Sequence, residues 1–201
     1  MRRVIVATSN AHKAQELETM LDLKDYVLET LEEAGLTSDP VEDADTFIGN
    51  AQIKARAAKK ECDEKGIKAC ILADDSGICV DALDGRPGVF SARYAGVGAG
   101  QDAINKKLFA ELKDVPFDKR TAHFACALVF IDEEGKEAGV QGEVHGKIGF
   151  EPIGDKGFGY DPIFYPEEYG FKKTFGEVES EEKNKISHRA RAVAKLRTEI
   201  L

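Results

Sequence analysis

The order of hydrophobic and polar positions along the 201 residues separates strand-like runs from helix-like spacing in the first third of the chain. Short apolar runs rich in β-branched residues predict strands over residues 3–8, 27–31 and 69–73. Apolar residues at intervals of three and four predict helices over residues 12–23 and 46–65. Helices and strands therefore alternate in this part of the chain.

The rest of the chain adds antiparallel features to this pattern. Two long strand-like runs, 120–132 and 136–148, flank Glu133-Glu134-Gly135 and predict a hairpin. Further predicted elements are extended pieces at 78–83 and 162–165, a helix at 101–112 and a terminal helix at 187–201. The predicted loops are an acidic one at 32–45, a turn at 85–88 and a glycine-rich one at 154–159. A mixed β-sheet flanked by helices is the predicted α/β fold, and the absence of repeats or linkers predicts one domain over 1–201.

Composition and charge narrow the class of protein. Hydrophobic residues make up 42% of the chain and charged residues 32%, which is typical of a globular protein, and the net charge of −9 disfavours a nucleic-acid partner. No apolar run reaches the roughly 20 residues that span a bilayer, and the first one is too short for a secretion signal. The four cysteines lack the spacing of a zinc or redox motif, which predicts free thiols in a reducing, cytoplasmic environment.

The charge is distributed unevenly. Residues 25–50 contain eight acidic side chains and no Lys or Arg, whereas residues 180–201 contain six basic and three acidic ones. Such a pair of patches suits a metal ion and a polyphosphate, although the charge alone favours two solvated faces.

A first candidate site lies between the first strand and the first helix, in the segment Thr8-Ser9-Asn10-Ala11-His12-Lys13. Backbone N–H groups at a helix start attract anions, and Lys13 adds a positive charge. Phosphate binding is the functional interpretation of this segment. An ordinary helix cap followed by an exposed lysine is the alternative.

A second candidate site is Asp74-Asp75-Ser76-Gly77, which the pattern places at the carboxyl end of a short strand. Ligands of α/β sheets bind at such ends, and two adjacent carboxylates suit Mg²⁺, which takes oxygen ligands. A turn that uses Asp and Gly for backbone reasons is the alternative. Glu42 is a possible third carboxylate, but the residues alone do not distinguish it from its acidic neighbours.

Two further candidates lie near the end of the chain. In the glycine-rich loop, Phe158 and Tyr160 are suited to stack on a base, and Asp161 to accept a hydrogen bond. Lys183 and the helix start Ser187-His188-Arg189 are suited to supply cations for a phosphate or a purine carbonyl. The alternatives are a hairpin-exit loop with packed aromatic side chains and a basic surface helix. Neither the phosphate loop of common ATPases nor the serine-hydrolase elbow is present in the sequence.

Six motifs, in order, resemble the inosine triphosphate pyrophosphatase family, whose members hydrolyse nonstandard purine nucleotides. The resemblance runs from Val4 to about Lys195. The matching stretches are Ala7–Lys13, Thr46–Ala51, Ala73–Gly77, Gly85–Tyr94, Gly157–Pro162 and Ile186–Arg189. One departure is Gly49, where many relatives carry an acid.

The resemblance implies an elongated, two-lobed fold with a central cleft, a homodimer, and hydrolysis of ITP, dITP and XTP to the monophosphate and pyrophosphate with Mg²⁺. It implies Asp75 as proton acceptor and metal ligand, Glu42 as second metal ligand and Asp74 in support. The substrate contacts that it implies are Thr8, Ser9, Asn10, Ala11, His12, Lys13, Ser76, Phe158, Gly159, Tyr160, Asp161, Lys183, His188 and Arg189.

Two other functions remain open at this point. The chain is then either a related pyrophosphatase that acts on pyrimidine or modified nucleotides, or a nucleotide sensor without turnover. Ser187-His188-Arg189 favours a purine substrate, and the intact Glu42, Asp74 and Asp75 favour catalysis over sensing.

Overall fold

A computed structural model describes residues 2–21 and 25–199 of the chain. Its six strands form one sheet in the order β2-β1-β3-β4-β5-β6. The strands are β1 (Arg2–Ala7), β2 (Tyr26–Thr30), β3 (Cys70–Val80), β4 (Thr121–Ile131), β5 (Glu137–Ile148) and β6 (Phe164–Pro166). Strand β1 pairs in parallel with β2 and β3, and β5 pairs antiparallel with β6, so the predicted mixed sheet is confirmed.

The helices also follow the sequence pattern. They are α1 (Ala11–Leu21), α2 (Phe47–Glu64), α3 (Gln101–Glu111), α4 (Ser180–Lys183) and α5 (His188–Glu199). The short helix α4 was not predicted, while the predicted helix ends at 22–23 and 200–201 lie outside the described residues. Along the described chain, no helix is long and apolar enough to cross a bilayer.

The prediction for residues 69–83 was wrong in one respect that matters for the site. We expected a short strand that ended at Asp74-Asp75, but β3 runs through both carboxylates and on to Val80. The strand continues because side chains from other segments match the Asp74 charge. In addition, Gly77 has no side chain, which allows Ser91 to lie close to the strand. A Cβ atom at Gly77 would lie 2.4 Å from the Ser91 hydroxyl. Residues 81–83, predicted as extended, form a 3-10 turn.

The chain divides into two compact units. The first comprises residues 1–75, 126–142 and 189–201, and the second comprises residues 76–125 and 143–188. In the described part of the first unit, alternate residues of β1 and β3 pack with α1 and α5 around a buried core that includes Leu17, Leu72 and Leu196. Because side chains of a strand alternate between its faces, Asp74 and Asp75 point to opposite sides of the sheet.

The second unit has its own core, in which β3, β4 and β5 pack with α3 and the segment around Phe175. Arg120 is a buried charged side chain of this unit and is 2% exposed. Its guanidinium donates to the carbonyls of Leu112 (2.7 Å), Val115 (2.8 Å) and Gly149 (2.7 Å). Burial lowers the pKa of Arg120. The side chain thus ties the end of α3 to the segment after β5.

Replacing Arg120 by Met is expected to lower the free energy of unfolding by about 3 kcal/mol, because three buried carbonyls lose their donor. Urea unfolding measures this change. Lys119→Met is the matched control, since Lys119 is exposed beside it, and should change the stability by less than about 0.5 kcal/mol. An equal, small effect of the two changes would show that water replaces the guanidinium.

Candidate functional site

The loop before α1 is organised by the Asn10 side chain. Its carboxamide oxygen accepts from the amides of His12 (3.0 Å) and Lys13 (3.2 Å), and the Asn10 amide donates to the Thr8 hydroxyl (3.2 Å). This is the geometry of a helix N-cap. The cap engages two amides of the first turn, so the helix start is less open to an anion than the sequence argument assumed. Ser9, Asn10, Ala11 and His12 are nevertheless exposed.

A group of carboxylates surrounds the Lys54 ammonium in the first unit. Lys54 Nζ lies 2.8 Å from Glu42 Oε2 and 3.0 Å from Asp75 Oδ1. Asn50 supports the group, because its amide nitrogen lies 3.4 Å from Asp75 Oδ2 and its oxygen accepts from the Ala44 amide. Glu42 and Asp75, which come from different segments, therefore converge on one cation position.

This group has the charge and ligand chemistry of a magnesium site. Two carboxylates against one ammonium leave a net charge of −1, and Mg²⁺ is usually held by one or two carboxylates together with phosphates. No group of three or more potential metal ligands occurs among residues 2–21 and 25–199. Glu42 and Asp75 are two carboxylates that lie together beside Lys54.

The electrostatics of the group follow from burial and from these contacts. Burial raises the pKa of Asp75, against the effect of Lys54 and Lys13. Burial opposes the charge on Lys54, but Asp75 and Glu42 outweigh it and raise the pKa of that ammonium. A carboxylate with a raised pKa is a better proton acceptor than an ordinary aspartate, which suits Asp75 to general-base chemistry.

Asp74 belongs to a separate cluster on the other face of β3. Its Oδ1 lies 2.7 Å from Lys13 Nζ, and its Oδ2 accepts from Arg189 Nε at 2.9 Å and from the Cys126 thiol at 3.1 Å. Arg189 also donates to Glu16. Although burial alone would raise it, Arg189 and Lys13 hold the pKa of Asp74 well below its usual range.

In the second unit, the glycine-rich loop closes around Asp161. Asp161 Oδ2 accepts from the Phe158 amide (2.8 Å) and lies 2.6 Å from Lys183 Nζ. A Cβ atom at Gly157 would lie 2.2 Å from that oxygen, so this turn requires glycine. Lys183 Nζ also lies 4.6 Å from the centre of the Phe158 ring. Phe158, Asp161 and Lys183 thus contact one another, and the Phe158 amide already donates to Asp161.

The remaining predicted residues have less uniform positions. Tyr160 is 6% exposed, and its hydroxyl donates to the Ser91 carbonyl, so its ring packs in the core. His188 is buried and stacks on Phe124, with ring centres 4.8 Å apart. Gly159 and Ser76 are half-buried. Of Phe158 and Tyr160, Phe158 is the less buried side chain.

Several residues of these groups were not predicted from the sequence. Asn50 and Lys54 lie on the same side of α2 as the apolar residues Phe47, Ala51 and Ala55. Polar residues on the buried side of a helix need polar partners, so the sequence did carry a signal for these two. Glu16 and Cys126 carried no comparable signal, since one lies on an amphipathic helix and the other in an apolar strand.

The fold and these side chains define a class: a mixed-sheet α/β protein in which two carboxylates from different segments meet at one lysine. Comparison with known proteins identifies the family. The sequence profile of the Ham1 family matches residues 4–199, and the chain belongs to this family. The resemblance inferred from the motifs is thereby confirmed.

Individual relatives cover nearly the whole chain. A protein of Clostridium perfringens named dITP/XTP pyrophosphatase is 44% identical over 200 residues, which are 98% of this chain and 96% of that one. The structure of a HAM1 protein from Coxiella burnetii superposes with a TM-score of 0.86 at 36% identity, covering 98% of each chain. A nucleoside-triphosphatase / dITP/XTP pyrophosphatase from Mycobacterium abscessus gives a TM-score of 0.75 at 39% identity, covering 96% of this chain and 98% of that one.

Proposed function

We propose that this protein hydrolyses nonstandard purine nucleoside triphosphates, with dITP, ITP and XTP as substrates, to the monophosphate and pyrophosphate. The observation that carries the proposal is the convergence of Glu42 and Asp75 on one cation position beside Lys54. The names of the relatives support the substrate class. One domain over residues 1–201 performs the reaction.

In this proposal Glu42 and Asp75 would hold Mg²⁺, which would neutralise charge on the phosphate oxygens. Asp75 accepts a proton from a water molecule, and the water oxygen bonds to the α-phosphorus. The bond from this phosphorus to the oxygen that bridges to the β-phosphorus breaks, and pyrophosphate leaves. Lys13, Lys54 and the Thr8–His12 loop contact the triphosphate and stabilise the charge that develops on it.

Further residues are proposed to contact the rest of the nucleotide. Phe158 stacks on the base. The nucleotide is also contacted by residues 159–161 (Gly159, Tyr160 and Asp161) and by Ser76 of β3. Lys183, His188 and Arg189, which are buried and of which Arg189 belongs to the first unit, are proposed to complete recognition of phosphate and base. Selection against adenine follows if the site donates to a purine 6-oxo group, because the amino group of adenine leaves that donor unpaired at a cost of about 1–3 kcal/mol.

Release of pyrophosphate from ITP, XTP, dITP, GTP, ATP, UTP and CTP with Mg²⁺ tests the proposal. We expect fast release from the first three nucleotides and little from GTP or ATP. Hydrolysis in ¹⁸O-water should place the label in the monophosphate, because the attack is on the α-phosphorus. Label in the pyrophosphate, or release of orthophosphate, would contradict this bond assignment.

Two other outcomes of the panel point to the other functions. Release that extends to UTP and CTP would indicate a pyrophosphatase of broader or pyrimidine specificity. Measurable binding of ITP without release would indicate a sensor. The convergence of Glu42 and Asp75 on one cation position favours turnover over sensing.

The proposal includes a homodimer in the cytoplasm, without nucleic-acid or membrane partners. Four free cysteines, three of them buried, support a reducing compartment. Light scattering of the eluting protein measures its mass directly, and a mass near 44 kDa is expected from two chains of 22.0 kDa.

A further inference from the structure

The Asp74 cluster takes no part in the proton transfer proposed above, yet it is the most thoroughly buried group of charges in the described part of the first unit. The exposed fractions of its charged side chains are 0% for Asp74, 1% for Arg189, 13% for Glu16 and 15% for Lys13. Burial of this kind is costly unless each charge is matched, so the arrangement requires an explanation.

The four charges alternate in sign and sum to zero. Glu16 contacts Arg189, Arg189 contacts Asp74, and Asp74 contacts Lys13. Arg189 alone would neutralise Asp74. Because Glu16 also pairs with Arg189, the second oxygen of Asp74 can hold the Lys13 ammonium without an excess of positive charge.

This balance distinguishes Asp74 from its neighbour in the sequence. Both oxygens of Asp74 already accept from cations, and Oδ2 also accepts from the Cys126 thiol. A divalent ion there would add two positive charges to a neutral, buried group. The group around Asp75 and Glu42 carries a net negative charge and is the better place for a cation.

Lys13 lies at the end of this chain of contacts, on the first turn of α1. Its amide is held by Asn10, and its ammonium by Asp74. A lysine side chain that is fixed at both ends loses less rotamer freedom when it binds a ligand than one that is free in solvent.

We propose that Asp74 and Glu16 are positioning residues, which hold Lys13 where it receives the triphosphate and keep Arg189 neutralised behind it. This inference rests on the proposed function. Cys126 has a smaller part in it, as a third donor that fixes the Asp74 carboxylate.

A double-mutant cycle on Asp74 and Lys13 tests the proposal by the binding of inorganic tripolyphosphate, measured calorimetrically in EDTA. Lys13→Met should weaken binding by about 10-fold or more, the size of one charged hydrogen bond. Asp74→Asn should weaken it similarly, and the double variant should bind within about 2-fold of Lys13→Met, because both changes remove one contact. Tighter binding by Asp74→Asn, or multiplied losses in the double variant, would overturn the assignment.

Folding is monitored in parallel, because Asp74→Asn leaves two buried cations with too little negative charge. The same cycle is therefore also run with Glu16→Gln, whose carboxylate lies nearer the surface. Its loss of affinity should again disappear in the Lys13→Met background. Glu18→Gln, an exposed change on the same helix, is the control and should bind as the wild type does. A Glu16→Gln loss that persists in the Lys13→Met background would contradict the role of Glu16.

Magnesium dependence separates positioning from metal binding. The Mg²⁺ concentration at half-maximal turnover should rise in Glu42→Gln and stay within about 2-fold of wild type in Asp74→Asn. An equal rise in Asp74→Asn and Glu42→Gln would make Asp74 a ligand. A wild type that binds tripolyphosphate but hydrolyses no nucleotide would overturn the proposed function alone, and one that does not bind it would overturn this inference.

Discussion

An Asp75→Asn protein is expected to release pyrophosphate from ITP about 1000-fold more slowly than the wild type or worse, because an amide does not accept the proton of the attacking water. The change removes a negative charge next to the triphosphate and keeps the size of the side chain. ITP should therefore still bind, with a dissociation constant within about 10-fold of the wild-type value. Single-turnover kinetics and calorimetry measure the two effects separately.

Asp43→Asn is the matched control for this change. Asp43 is exposed in the acidic loop beside Glu42, so the same chemical substitution there should leave turnover within about 2-fold. If Asp75→Asn retained more than about a tenth of the wild-type rate, a different group would have to accept the proton.

Lys183→Met should lower the free energy of unfolding by about 3–5 kcal/mol, because it strands the Asp161 carboxylate in the interior. The two side chains are each 3% exposed and lie 2.6 Å apart. In the variant, Asp161 keeps the Phe158 amide as a donor but loses its counter-charge. Urea unfolding at neutral pH measures the loss.

Two further variants test whether the lost charge is the cause. The double variant Lys183→Met/Asp161→Asn removes both charges and should recover most of the stability, whereas Lys185→Met, at an exposed neighbouring position, should have little effect. A double variant no more stable than the single one would mean that lost packing, and not the buried charge, causes the destabilisation.

Most of the fold could be predicted from local patterns. The hairpin of β4 and β5 and the helices α1, α2, α3 and α5 follow from apolar periodicity, which is a local property of the sequence. Strand β3 could not be predicted in full, because the carboxylates in its middle are stabilised by distant residues. Arg189, for example, lies 115 positions from Asp74.

The predicted site residues depended on a different kind of information. Asp75 and Glu42 were assigned from the family motifs, and no local feature distinguished Glu42 from the other acids of its loop. The burial of Tyr160 was not predictable, because a tyrosine in a glycine-rich loop usually looks accessible, and its partner is the carbonyl of Ser91, 69 positions away. Lys54 and Asn50 could have been predicted, because they are polar residues on the buried side of α2.

Because β3 runs through both Asp74 and Asp75, the alternation of side chains along a strand places the two carboxylates on opposite faces of the sheet. Asp75 thereby faces the cation position and Asp74 the buried charge cluster. Only the register of the strand determines which aspartate lies on which face. An added or deleted residue between Cys70 and Asp74 would exchange the two assignments without altering either side chain. We therefore expect this segment to accept changes of apolar residue and to reject any change of length.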